Sequence, residues 1–474
     1  MRLGHVSAIN FGSQILASLS GFVATLYVAQ ELGSAALGKY ALFIAVVIWM
    51  KTFFGSGLHE GVRKRLSERG ERRGILGAAL AIQVGLLIVV GIVILLFHSQ
   101  VNHYLRFDGA DTLIGAFVAL IAFAFVRSVL DGEDRVHLSS LLRPLDRVVR
   151  TGVQLSVVFL GAFGGGVLGI TYGYIAGAAT ASLLGFVWIR IRPAVPSRED
   201  FRSLWSYLQY AWLSGIEERS ISSMDTVVLG LFVASNLIGY YEVAWNVASI
   251  LAVFGTSIST TVFPTLSKLE SEGKQDQVGE IISQSLAFSG LFVIPGLAGG
   301  MVIGDQILGI YGPEFEQASL VLLTLIFARL VYAYESQLIS ALNAIGRPEI
   351  AFRINAIFVA SILSLNLILV NQFGWIGAAV GTAVAAMIGL VLAYKSLSEV
   401  VDFALPTTEL TTQFISAITM AGVVAWLETS WFTGLRSETF TAILLVAVGA
   451  VVYFLTLATT SSRFRGTVRN NLPF

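Results

Sequence analysis

Fourteen runs of predominantly apolar residues follow one another along the chain, and no other feature narrows its fold as far. They lie at approximately 11–30, 40–58, 75–97, 112–132, 147–163, 167–189, 211–233, 240–263, 281–303, 319–342, 352–371, 375–395, 411–428 and 438–458. A bilayer core is crossed by a helix of about 20 such residues. Hydrocarbon leaves the backbone only two solutions, helices and closed barrels, and runs of this length suit helices. The sequence therefore predicts an all-α polytopic membrane protein with 14 transmembrane helices. Composition agrees, because 13% of the 474 residues are charged, against about 25% in a soluble domain. The first run continues into a full span without a small-residue cleavage site, so it is read as a helix rather than a signal peptide.

Lys and Arg in the loops set the expected orientation. With the N-terminus in the cytoplasm, the segments 1–10, 59–74, 133–150, 190–205, 264–280, 343–353, 395–410 and 459–474 are internal and hold 23 basic residues. The opposite loops hold Lys39, Arg106 and Arg436. Both termini are thus expected in the cytoplasm, and the plasma membrane is the expected location.

Several function classes fall away. Net charge is zero, with 30 basic and 30 acidic residues, so no overall field points to nucleic acid. The absence of cysteine excludes disulfides and thiolate metal sites. The five histidines (5, 59, 98, 103 and 137) lie in loops by this reading and form no cluster, and no nucleophile elbow or phosphate-binding Gly-rich loop is present. An enzyme is not expected, and neither a metal nor a bound cofactor is implied.

An internal repeat divides the chain. Leu37-Gly38-Lys39-Tyr40-Ala41 returns as Ile238-Gly239-Tyr240-Tyr241-Glu242, and Arg143-Pro144 returns as Arg347-Pro348. Gly166, Gly169 and Gly173 return as Gly374, Gly377 and Gly381. Ordered matches at nearly one offset describe two six-helix halves of like orientation, as in transporters with parallel repeats. The expected domains are an N-terminal lobe at 1–195, an amphipathic interfacial linker at 196–210, a second lobe at 211–400, and two additional helices with a cytoplasmic tail at 401–474.

These residues also carry a resemblance. Leu32-Gly33…Leu37-Gly38-Lys39-Tyr40, Asp225-x-x-x-Leu229-Gly230, Phe263-Pro264-Thr265-Leu266-Ser267, Asn343-Ala344-Ile345-Gly346-Arg347 and Asn366…Phe373-Gly374-Trp375-Ile376-Gly377 occur in order. Together they resemble the oligosaccharide flippases of the multidrug/oligosaccharidyl-lipid/polysaccharide exporter superfamily. The resemblance implies flipping of a polyprenyl-linked saccharide from the cytoplasmic to the external leaflet by alternating access of the two lobes. It also implies that spans 13 and 14 can hold the lipid tail. The expected partners are the lipid-linked oligosaccharide and membrane lipids, with Na+ or H+ as a possible coupling ion, and the protein is expected to act as a monomer. The rivals are a cation-coupled multidrug exporter of the same superfamily and, further off, a membrane saccharide polymerase or ligase.

Charges inside apolar runs are costly and usually face a cavity or a partner. Six residues are therefore candidates for substrate binding: Lys51, Arg127, Glu217, Asp225, Asn246 and Arg329. Arg127 and Arg329 are 202 positions apart, near the repeat offset. Each is either a guanidinium for a diphosphate or acidic sugar, or part of a pair inside its lobe, for which Asp131 stands one turn from Arg127. Asp225 is either a cavity acid or the holder of a hydrogen bond to Ser222, Ser223 or Thr226. Lys51 has apolar helical neighbours and is expected to meet Glu217. Asn246 and Trp245, with Asn10, Gln14, Ser18 and Gln30 of the first span, are candidates for sugar hydroxyls or for bonds between helices.

Overall fold

The computed structural model describes residues 3–68, 72–161, 165–211, 223–431 and 438–471, and among them all regular structure is helical. The first half of the chain contains α1 (Leu3–Ser67), α2 (Arg72–Leu96), α3 (His98–Leu105), α4 (Ala110–Gly132), α5 (Val136–Leu160), α6 (Gly166–Trp188), α7 (Arg198–Ala211) and α8 (Asp225–Phe232). The second contains α9 (Ser235–Ser271), α10 (Gln275–Ser289), α11 (Val293–Gly309), α12 (Ser319–Ala344), α13 (Pro348–Ser398), α14 (Thr407–Trp431), α15 (Glu438–Thr460) and α16 (Ser462–Asn471). A 3₁₀ turn at Pro313–Ala318 precedes α12.

The fourteen apolar runs map onto these helices, and the chain is a multi-pass membrane protein. α1 carries the first two runs and α13 the eleventh and twelfth, each divided by a glycine. Gly33 sits at φ 77° and Gly374 at φ 60°, a region in which a side chain is strained. α10 and α11 share the ninth run, and α8 is the described C-terminal part of the seventh.

Residues Met1–Gly239 form one compact unit and Tyr240–Phe474 another. In the first unit α5 packs on α6, α6 on α4, and α1 on both α4 and α5. Water does not drive helices together in lipid, so close packing has to hold them, and small residues permit it. α6 supplies Gly173 and Gly177. A methyl group at Gly173 would stand 2.6 Å from Gln154 Cγ, and one at Gly177 2.5 Å from the Asp146 carbonyl oxygen. One end of the unit is closed by Leu58, Val62 and Leu66 of α1, Ala78 and Ala79 of α2, Val129 of α4 and Leu204 of α7. The amphipathic character of α7 shows in its neighbours, with Leu204 buried and Trp205 66% exposed. The outer surface is apolar, as on Leu183, Phe186 and Val187.

The second unit repeats the device. The two parts of α13 fold back on each other, and α12 packs along them. A methyl group at Gly377 would overlap the Leu369 carbonyl oxygen, and one at Gly381 would stand 2.9 Å from Asn366 Oδ1. Gly173 on Gln154 and Gly381 on Asn366 are therefore matching contacts in the two halves of the repeat. α14 and α15 pair with each other and pack on α11. Gln413 of α14 donates to the Ala287 carbonyl of α10 at 2.6 Å.

Candidate functional site

α5 is built with its polar side inward. Ser139, Asp146, Arg150, Thr151 and Gln154 are buried, while Leu141, Val148, Phe159 and Leu160 are exposed. One Nη of Arg150 donates to both oxygens of Asp146, at 2.8 and 2.7 Å. The same guanidinium lies 3.8 Å from the centre of the Tyr174 ring on α6, a cation–π contact. Gln154 extends the network, donating to Tyr40 Oη at 2.6 Å and to the Ile170 carbonyl. The sequence reading put Arg147 and Arg150 at the overlap of the cytoplasmic segment 133–150 and the apolar run 147–163, at the very start of a span. α5 instead begins at Val136, so both stand about three to four turns inside a helix. The spacing of Asp146 and Arg150, four apart on one face, is the signal that could have shown it.

Of the candidates in this unit, Arg127 is half-buried on α4, 5.7 Å from the Phe123 ring centre. Its charged neighbours are Arg143, Asp131 and Asp146, yet among the described residues no ion pair with Asp131 forms. Lys51 is half-buried on α1, two residues after Trp49, which stacks on Phe53. Lys51 acts electrostatically on His59. His59 does not sit in a loop: it is 7% exposed and hydrogen-bonds Gln83 of α2 at 3.2 Å. Asp225 opens α8 and is 3% exposed, between buried Ser223 and Thr226. Glu217 lies outside the described residues, as does Ser222; so do the side chains of Asn10, Gln14 and Ser18.

In the second unit α9 and α12 bring together Arg329, Trp245, Ser249, Asn246 and Glu242. Arg329 lies 4.1 Å from the Trp245 ring centre and donates from Nη2 to Ser249 Oγ at 2.7 Å. Trp245 is thus packed within the unit, 8% exposed. Asn246 Nδ2 reaches Glu242 Oε1, one turn away, at 3.4 Å. A guanidinium, a carboxylate, an amide and a hydroxyl on one pair of helices can bind anionic and hydroxyl-bearing groups. Glu242 was not among the candidates, nor was Glu335 of α12, which is 1% exposed and set against α13 at Gly389. Glu335 shares the run 319–342 with Arg329 alone among charged residues, and that isolation was its signal.

Comparison with known proteins adds a lineage to this geometry. Residues 5–270 match the family described as polysaccharide biosynthesis protein, and residues 159–446 match the one described as lipid II flippase MurJ. The chain is 34% identical to the probable flippase AglR of Haloferax volcanii, over 99% of its own length and 98% of the relative's. It is 30% identical to the probable low-salt glycan biosynthesis flippase Agl15 of the same organism, over 90% of each chain. Among solved structures it matches lipid II flippase MurJ in an inward closed conformation, with a TM-score of 0.78, 16% identity, and 98% and 99% of the two chains covered. At that identity the last likeness concerns the fold.

Proposed function

The chain belongs to the polysaccharide biosynthesis protein family, and on that footing we propose that it flips a lipid-linked oligosaccharide from the cytoplasmic to the external leaflet. The observation that carries this reading is the full-length relationship to two flippases of glycan assembly. Polar groups inside the bundle support it. A saccharide headgroup cannot cross hydrocarbon unaided, because each unsatisfied polar group there is costly. Arg329 with Ser249, and Glu242 with Asn246, offer it charge-assisted and neutral hydrogen bonds instead.

In this reading the lobes at 1–195 and 211–400 alternate access to the two faces, joined through the linker at 196–210. The helices of 401–474 accompany the lipid tail. Lys51, Arg127, Glu217, Asp225, Asn246 and Arg329 contact the headgroup or gate its path. The protein works as a monomer in the plasma membrane, with both termini in the cytoplasm, and a gradient of Na+ or H+ drives it.

The test is the lipid-linked glycan pool of cells lacking the protein, measured with its sidedness. Accumulation on the cytoplasmic leaflet, with loss of a surface glycan, is expected. An unchanged pool with heightened sensitivity to cationic drugs would point to multidrug export, and depletion of the precursor to a synthetic enzyme.

A further inference from the structure

The chain between α6 and α7 is fastened to the first unit along its backbone. Glu133, in the turn between α4 and α5, accepts from Arg190 N at 3.0 Å and from Ile191 N at 2.8 Å. Arg73 of α2 donates from Nε to the Arg192 carbonyl at 3.3 Å, and its own carbonyl accepts from Ala194 N at 3.0 Å. The Ala194 carbonyl lies so close to Gly77 that a methyl group there would overlap it. α7 is held in the same manner. Arg65 Nη2 of α1 donates to the Ser203 carbonyl at 3.2 Å, and Asp200 Oδ2 accepts from Ser197 N and Oγ at 2.8 Å each. Asp200 also lies against Gly74 at the start of α2. α7 thus crosses the ends of α1 and α2 that one short connection joins, at the rim of the bundle.

Successive residues of a helix are turned by about 100°, and α7 is sorted on that scale. Leu204, Leu208, Phe201 and Trp205 fall in that order within about 100° of arc. Leu204 and Leu208 pack into the cluster of α1, α2 and α4, while Phe201 and Trp205 are 37% and 66% exposed. Arg198 and Arg202, both exposed, follow Trp205 within about a further 60°. Glu199 stands about 120° from Trp205. Ahead of the helix, Arg190 and Arg192 are exposed, and Val195 is 95% exposed. Along 190–205 the arginines and the uncovered apolar side chains therefore interleave. Arg198 occupies the first turn, where a helix favours anions, so it does not serve the helix itself.

We infer that this edge of the first unit is a docking surface for acidic phospholipid headgroups of the adjoining leaflet. An aqueous setting accounts for the arginines but not for Trp205, and a hydrocarbon setting for Trp205 but not for the arginines. The headgroup layer accounts for both. Trp205, Phe201 and Val195 enter the boundary between headgroups and acyl chains, the level at which aromatic side chains are enriched. Arg198 and Arg202 reach the phosphates beside them, and a guanidinium meets a phosphate through two parallel hydrogen bonds. In the orientation proposed from the loop charges this leaflet is the cytoplasmic one, whose acidic lipids attract basic segments. The inference does not depend on what the chain transports.

The test uses the full chain in vesicles of phosphatidylcholine with phosphatidylglycerol. The sequence holds no cysteine, so Trp205→Cys and Glu199→Cys each carry a single nitroxide label. Collisions of the label at 205 should favour dissolved oxygen over a water-soluble nickel chelate, and those at 199 should favour the chelate. Equal access of the chelate to both positions would overturn the docking surface and leave this edge to water or to a soluble protein. The headgroup is read on the detergent-purified chain, by counting bound phosphatidylglycerol against phosphatidylcholine in native mass spectrometry. Wild type should prefer phosphatidylglycerol. Arg198→Gln and Arg202→Gln should each reduce that preference about fivefold, the weight of one basic side chain at an acidic membrane surface, with an unchanged thermal midpoint. A wild-type preference in the folded double variant would overturn the acidic headgroup as partner. If the double variant does not fold, the single variants decide. Displacement of phosphatidylglycerol by an equimolar amount of polyprenyl phosphate would overturn the assignment to phospholipid.

Discussion

Gly38 of α1 and Gly239 of α9 stand 201 positions apart in sequence and pack against each other in the first unit. A methyl group at Gly38 would overlap the Ser235 carbonyl oxygen and come 2.8 Å from Gly239 N. One at Gly239 would overlap the Ser34 carbonyl oxygen. The contact is reciprocal, because Ser34 and Ser235 are separated by the same 201 positions. Repeat-related residues thus meet their counterparts, and only hydrogen fits between the backbones. Gly38→Ala and Gly239→Ala should each cost about 1–3 kcal/mol, as overpacking does, and lower the thermal unfolding midpoint in detergent. Unchanged midpoints would show that the helices can part without penalty.

The junction ahead of α9 is fastened from α3. Tyr104 Oη donates to the Val227 carbonyl at 2.7 Å, and Arg106 Nη2 to the Gly230 carbonyl at 3.0 Å. Tyr104→Phe removes one hydrogen bond and should lower stability by about 1 kcal/mol. Hydrogen exchange of Val227–Val233 should rise in this variant. Exchange equal to wild type would mean that α3 merely lies alongside.

Asp146 and Arg150 are each buried, so removing one strands the other. Asp146→Asn should destabilise the protein by about 3–5 kcal/mol, and a joint change to Asp146→Leu and Arg150→Met should cost less than the single change. Denaturant or thermal unfolding of wild type and the two variants decides this, and a joint change that costs as much as the single one, or more, would mean that the pair is not coupled.

Arg329 is held by the Trp245 face and by Ser249 Oγ. Arg329→Lys keeps the charge but forfeits the planar stack and the bidentate fork. Flipping should fall about tenfold, equivalent to roughly 1.4 kcal/mol of transition-state stabilisation, while the unfolding midpoint changes little. Full activity in the lysine variant would reduce Arg329 to a simple point charge.

Lys51 and Glu217 are proposed to meet. Lys51→Glu and Glu217→Lys should each abolish flipping, and the double reversal should restore part of it. A double variant as inactive as the singles would remove the pairing.

Most of the architecture was legible because hydrocarbon enforces it. Run length gives the helices, loop charge gives an expected orientation, and the glycine series at Gly173 and Gly381 marks where helices touch. Boundaries were harder. Run five was started at residue 147, whereas α5 begins at Val136: Arg143 and Asp146 break the apolar pattern ahead of 147, and the packing of Arg150 on Tyr174 shows that the polar side of this helix faces inward. His59 was misplaced for the same reason, since a single polar residue near a helix end gives no sign of Gln83 waiting on the next helix. Arg329 was visible as an isolated charge, but its partners Trp245 and Ser249 lie 84 and 80 positions away, beyond any local pattern.

The most direct measurement is flipping itself. The purified chain is reconstituted into liposomes that carry a labelled lipid-linked oligosaccharide on one leaflet, with an imposed Na+ or H+ gradient, and access to an impermeant sugar-cleaving probe is followed. Flipping predicts that the label moves to the opposite leaflet in protein-containing vesicles, and far more slowly with Arg329→Lys. Label that stays on its original leaflet with active, folded protein present, under either gradient, would contradict it.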